Sequence, residues 1–238
     1  MSSTCALPTR TSPRVTSVRV GRPRWLGDPD ARDRLRRPFR TAFVKEAVEG
    51  EVTVGPLGLE GDSQSDRRHH GGPEMAILAY SADHYPAWRQ ELGLPEMGPG
   101  GFGENLTIAG VDETSVCIGD TYAVGGARLQ VSQPRAPCYN ISRRWGRQDL
   151  MLRVVQTGRT GWYLRVLAAG PVAAGDLLRL EERPLPGWSV ARVARVAGVT
   201  RDGEPSGLTD LARERALLAA SPLLSPTWRE RLGRSAAG

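Results

Sequence analysis

The heptapeptide Gln133-Pro134-Arg135-Ala136-Pro137-Cys138-Tyr139 holds the residues best suited to chemistry. Proline fixes φ and removes a backbone donor, and it pushes the residue before it towards an extended form. A thiol pinned this way beside Arg135, at the start of an expected helix, is favoured as thiolate. A thiolate so held is a nucleophile or a soft-metal ligand. For a cysteine taken alone, a small apolar residue in a core turn is the competing reading. Cys117 sits between Val116 and Ile118, as a buried strand residue would, and Cys5 lies in a polar tail. Three cysteines without close spacing argue against a disulfide scaffold and against a four-ligand zinc site. A second stretch, 60–72, is polar throughout and carries Asp62, Arg67, Arg68, His69, His70, Gly71 and Gly72. No core can be built from it, so it lies at the surface or lines a site.

These residues need a scaffold. Val15–Val20 alternates apolar and polar residues and predicts a first strand. Thr41–Lys45 and Glu51–Val54 read as two strands joined at Glu49-Gly50. Met75–Tyr80 is an apolar strand, and Ser81 is placed to cap a helix that puts Tyr85, Trp88 and Leu92 on one face. Strands follow at Phe102–Ile108 and Val116–Ile118, then a hairpin, Tyr122–Val124 with Arg128–Ser132, across Gly125-Gly126. That hairpin feeds the cysteine segment. Short helices are expected near 138–144 and 148–156, the second ended by Gly158. Strands at Trp162–Leu167 and Asp176–Leu180 complete a mainly β (α+β) unit over 15–182, whose many short strands favour a barrel-like domain. Pro184-Leu185-Pro186-Gly187 marks a linker. Beyond it, 188–238 forms a small three-helix domain, with helices at Ser189–Ala197, Thr209–Ala220 and Pro226–Leu232. Residues 1–14 read as a disordered tail. Residues 22–40, with seven arginines among Pro, Gly and Asp, read as a solvated inserted loop rather than an anion-binding arm.

Composition sets limits. The chain has 238 residues with 39% hydrophobic and 24% charged residues, an ordinary globular balance. Its net charge of +6 is carried almost wholly by arginine, Lys45 being the one lysine, and a coding bias explains this as well as function does. Nucleic-acid binding is therefore weakly supported, and no aromatic–basic stripe accompanies it. No apolar run spans a bilayer and no signal-peptide core is present, which points to the reducing cytoplasm.

Six segments occur in an order that resembles a known family: Gly58-Leu59-Glu60-Gly61-Asp62, His70-Gly71-Gly72-Pro73, Phe102-Gly103-Glu104-Asn105-Leu106, Ile118-Gly119-Asp120, the Cys138 heptapeptide, and Thr157-Gly158-Arg159-Thr160-Gly161. Together they resemble the MOSC domain, named for the C-terminal part of molybdenum cofactor sulfurases, and most closely its bacterial YiiM-type branch with a three-helix extension. The 22–40 segment is longer than this pattern leads one to expect. The resemblance implies a barrel-like fold and a mononuclear molybdenum–pterin cofactor with Cys138 as metal ligand. It also implies reduction of N-hydroxylated compounds such as base analogues, hydroxylamines and amidoximes.

Chemistry agrees at the centre. A metal already held by a pterin dithiolene needs one further soft ligand, so one cysteine suffices. A pterin phosphate needs cations or backbone N–H groups; Arg135 and Arg159 lead, followed by Thr160, Arg67 and Gly71, while Asn105 and Glu104 are placed to meet a pterin edge. Asp62 is expected to orient an arginine. His70 is the candidate donor of the proton that a leaving hydroxyl needs, with a structural turn histidine as the alternative. No iron–sulfur or nicotinamide signature appears, so electrons come from a separate reductase. The rival enzyme reading is sulfur transfer through a Cys138 persulfide, and a non-enzymatic one is cofactor storage. A homodimer is compatible with either.

Overall fold

In a computed structural model, the described residues are 12–66, 70–202 and 208–234. The first strand, β1 (Arg14–Val20), has Val15 and Val18 pointing into the core. Next come β2 (Arg24–Leu26), β3 (Phe39–Thr41), β4 (Glu46–Ala47), β5 (Val52–Gly55) and β6 (Gly58–Leu59). The fully buried β7 (Ile77–Ser81) leads through a one-turn helix into α1 (Tyr85–Leu92). Ser81 caps this entry by accepting from the Asp83 N–H at 3.3 Å, and Tyr85, Trp88 and Leu92 share the buried face. Then follow β8 (Leu106–Ala109), β9 (Thr121–Val124), β10 (Ala127–Pro134), α2 (Asn140–Trp145), α3 (Leu150–Thr157), β11 (Trp162–Ala168), β12 (Gly170–Val172) and β13 (Leu178–Glu182). The chain ends in α4 (Val190–Val196), α5 (Leu208–Ala220) and α6 (Pro226–Arg234).

Eight strands form one mixed sheet in the order β13-β9-β10-β11-β7-β8-β1-β4, with β7 and β8 its parallel pair. The sheet curls until β1 meets the chain entering β13. Arg14 bridges Leu177, the Val15 N–H donates to the Asp176 carbonyl at 2.8 Å, and Leu178 N–H donates to Pro13 at 2.8 Å. The result is a half-barrel, mainly β within an α+β fold. The three C-terminal helices bury Val190, Val193, Leu218, Trp228 and Leu232, and the link between α5 and α6 buries Leu224, in the same core as Leu129 and Val131 of β10. Docking of this kind is what stabilises helices too short to persist alone. Among the described residues, no helix is long and apolar enough to cross a membrane.

Several expectations are corrected. Thr41–Lys45 and Glu51–Val54 do not pair with each other. The side-chain oxygen of Thr41 accepts from the Phe43 N–H at 3.0 Å, which turns the chain and ends β3. That strand instead pairs with β2, β4 pairs with β1, and β5 pairs with the distant β12. Residues 22–40 are therefore a two-stranded ribbon with a turn rather than a plain loop. Val116–Ile118 makes only an isolated bridge, Cys117 to Ser189, and the Asp120 carboxylate accepts from the Cys117 N–H at 2.9 Å.

Candidate functional site

Strand β10 aims the cysteine segment. A register shift at Ser132 bends the strand just before Pro134, and the displaced Ser132 hydroxyl donates to Glu74 O at 2.5 Å and Tyr163 O at 3.1 Å. Pro134 still pairs with Trp162, and the Arg135 N–H donates to Gly161 O at 3.0 Å. The Gly161 turn is itself clamped, because its N–H donates to Glu113 at 2.6 Å and the other Glu113 oxygen holds His84 at 2.6 Å. Cys138 then sits one residue before the Tyr139 cap of α2, its carbonyl accepting from Ile141 N–H at 3.1 Å. Two prolines, one bulge and one clamped turn thus set the thiol's position.

The half-buried Cys138 lines an open-mouthed cleft. Polar walls come from Lys45, Asp62, Ser63, Gln64, Ser65, Arg135 and Asn140; Phe43, Met75, Leu78 and Tyr163 supply apolar surface. His70, Gly71 and Asn105 complete the lining. Of the residues singled out from sequence, the fold therefore brings Cys138, His70, Arg135, Asn105 and Gly71 to one cavity. Arg67 lies outside the described residues.

Arg135 is 3% exposed, and its guanidinium donates to Phe102 O at 3.1 Å and Thr160 O at 3.4 Å. Among the described residues no carboxylate pairs with it. A buried cation solvated only by carbonyls keeps a strong preference for an anion in the adjacent cleft. Tyr163 feels the same group: burial pushes its hydroxyl pKa up most, Arg135 opposes, and Cys138 adds to the rise.

Other candidates sit elsewhere or have other duties. Arg159 does not line the cleft; it pairs with Glu91 at 2.8 Å and lies over the Trp88 ring at 4.8 Å. Thr160 is buried, donates to Gly161 O at 3.1 Å, and reaches the cleft only through the carbonyl it offers Arg135. Asn105 has one side-chain end on Leu78 N–H at 3.1 Å and the other on Arg19 O at 3.2 Å, so it locks β7 against the entry to β8 as well as lining the wall. Glu104 is fully buried and collects Gly100 N–H, Phe102 N–H, and the Tyr85 and Thr107 hydroxyls, which leaves it no role at a ligand edge. Glycine is required at Gly71, where φ is +84° and a Cβ would lie 2.7 Å from Gln64 Oε1.

Lys45 was not among the sequence candidates. Its ammonium contacts the Asp62 carboxylate, and Asp62 also accepts from Gly21 N–H at 2.7 Å. Asp62 thus orients a lysine and not an arginine. The pair is enclosed, at 8% and 2% side-chain exposure, and Asp62 Oδ2 is buried without a hydrogen-bond partner. The available signal was composition: a chain that uses arginine at every other basic position keeps lysine here, where a compact ammonium is not interchangeable with a planar fork.

A family model described as "MOSC domain" matches residues 66–179. The chain is 39% identical over 204 residues to the uncharacterized protein YflK of Bacillus subtilis, covering 86% of this chain and 88% of that one. It is 41% identical over 160 residues to a protein of Gibberella moniliformis named "Reductase", covering 66% of this chain but 28% of that longer protein. The crystal structure of YiiM from Geobacillus stearothermophilus superposes with a TM-score of 0.75 at 31% identity, covering 94% of this chain and 99% of that one. The superposition over nearly the whole of YiiM, the 39% identity to YflK along most of both chains, and the family match from residue 66 through Cys138 to residue 179 place the chain in the MOSC domain family, in its YiiM-type branch.

Proposed function

We propose that the protein is a molybdenum-cofactor-dependent reductase of N-hydroxylated compounds. One observation carries the reading: the Cys138 thiol and the buried Arg135 guanidinium face one cleft, with no carboxylate paired to Arg135 among the described residues. The residues fit the group. Cys138 offers the single soft ligand that a dithiolene-held metal lacks. Arg135 offers positive charge to a phosphate, and Ser63, Ser65 and Asn140 offer hydrogen bonds to polar edges. The buried Asp62 Oδ2 lacks a partner, an unmet acceptor beside a cavity that a pterin rich in N–H groups would fill.

When bound, the cofactor supplies two-electron redox chemistry. The protein's share is position and protons. Reduction consumes two electrons and two protons, breaks the N–O bond, and releases water as N–OH becomes N–H. His70 on the cleft wall supplies a proton to the departing hydroxyl, and the Phe43, Met75 and Leu78 surface limits water around the N–O group.

The test is metal and pterin content of protein expressed in a host that makes the cofactor, with turnover of a hydroxylamine under an artificial reductant. Wild type should hold close to one molybdenum per chain; Cys138→Ser should lose the metal and the activity. Full molybdenum content in the variant sinks the assignment. A wild-type protein without molybdenum but carrying an extra sulfur on Cys138 by mass spectrometry replaces it with persulfide transfer.

A further inference from the structure

Residues 22–40 carry charge that the cleft does not use. They hold seven arginines against three aspartates, a net +4 of the chain's +6. All seven arginines are exposed. Arg24 pairs with Glu46 at 3.2 Å, whereas the guanidiniums of Arg22, Arg32, Arg34, Arg36, Arg37 and Arg40 make no hydrogen bond or ion pair with another described residue. This contrasts with Arg128, Arg165, Arg183 and Arg192, each of which holds a carboxylate. Two of the segment's own acids are occupied by its turns: Asp28 accepts from Asp30 N–H and Asp33 from Leu35 N–H, each at 2.9 Å. The positive charge is left largely uncompensated.

This ribbon adjoins the cleft. Arg143 of α2 donates to Arg37 O at 2.6 Å and lies over the Phe39 ring at 3.8 Å. The chain leaving β3 becomes the cleft wall at Thr41, Ala42 and Phe43. Arg34 and Leu35 share a shallow depression with Tyr139, the neighbour of Cys138. Trp25 stands 70% exposed on the ribbon, and Tyr139 is 39% exposed. Arg, Trp and Tyr are the residue types that concentrate binding energy at protein interfaces.

We propose that this Arg–Trp ribbon is the docking surface for an acidic electron-carrier protein, which delivers electrons to the adjoining cleft. The proposal rests on the reductase reading: the carrier is oxidised by two electrons in all, singly or together, for each N–O bond reduced, and the two protons are drawn from solvent, one of them through His70. Free guanidinium forks match surface carboxylates bidentately and accelerate encounter with an acidic partner. Nucleic acid fits less well. Asp28, Asp30 and Asp33 interrupt the patch, which an unbroken phosphate backbone would meet as repulsion while discrete carboxylates can avoid them.

The test compares the cofactor-loaded protein with its R34E/R36E/R37E variant, whose changed side chains lie outside the cleft lining. The probe is an acidic plant-type [2Fe–2S] ferredoxin, with binding followed between about 20 and about 200 mM salt. Wild type should bind it with affinity falling steeply in salt; the variant should bind at least about tenfold more weakly and lose ferredoxin-driven turnover to the same extent. Turnover driven by reduced methyl viologen should be unchanged in the variant. Equal ferredoxin binding by variant and wild type, no ferredoxin binding by wild type, or tighter binding of duplex DNA than of ferredoxin at about 150 mM salt overturns the proposal. Failure of methyl viologen to drive wild-type turnover sinks the reductase reading instead, and the binding comparison still decides the docking surface.

Discussion

Removing the Lys45 ammonium isolates a carboxylate that the fold cannot easily rehydrate. In Lys45→Met the side-chain length is kept and the charge lost. Asp62 then retains the Gly21 N–H at 2.7 Å as its remaining bond, while its side chain is 2% exposed and Oδ2 already lacks a partner. Breaking a buried pair by deleting one member costs about 3–5 kcal/mol. With a urea m-value of about 2–3 kcal/mol/M for a chain of this size, the unfolding midpoint should fall by about 1–2 M. Lys45→Met/Asp62→Asn should recover most of the loss at neutral pH. Urea titrations of all three proteins decide it. A single variant within about 1 kcal/mol of wild type at neutral pH, or a double variant no better than the single, refutes the buried-pair argument.

Gly71→Ala should lower the melting temperature more than Gly72→Ala: both glycines have φ near +85°, but only at Gly71 does a new Cβ meet a neighbour, Gln64 Oε1 at 2.7 Å. Equal losses would show that backbone strain alone governs both sites. Arg135→Lys keeps the charge but loses the fork that reaches Phe102 O and Thr160 O, so it should cost about 1–3 kcal/mol in stability and weaken retention of any phosphate-bearing ligand, read by denaturation and by pterin content. In a Cys5→Ser background, a disulfide reagent at neutral pH should label Cys138 fast and Cys117 slowly, because burial first and Asp120 second push the Cys117 thiol pKa up and leave it less ionised. Rapid labelling that survives Cys138→Ser would overturn that order.

What sequence revealed and what it concealed divide by separation along the chain. Ser81 and the Tyr85, Trp88, Leu92 face act within one helix, and the Gly125-Gly126 hairpin closes across two residues, so local rules suffice for both. The pairing of β5 with β12, by contrast, joins Val52–Gly55 to Gly170–Val172, and no local rule prefers that partner over the Glu51 hairpin. Site residues follow the same division. Cys138 and Arg135 were legible because their constraint is covalent and adjacent: two prolines and a strand end. Arg159 looked equally apt, yet Glu91 and Trp88 on α1 draw it away from the cleft, and nothing near Arg159 in sequence shows that helix. Glu104 misled for a different reason: Gly100, Phe102 and Thr107 are near it in sequence, but the fold of that loop is what turns their donors, with the distant Tyr85 hydroxyl, onto one carboxylate. Lys45 is the instructive exception. Its partner lies 17 residues away across three strands, but the choice of lysine in a chain that otherwise uses arginine is visible without any structure. An ammonium is a compact point charge that fits beside a buried carboxylate and Gly21, where the wider guanidinium needs more room and more acceptors. A residue type used once, against a strong compositional bias, therefore points to a packed electrostatic requirement even when its partner cannot be read.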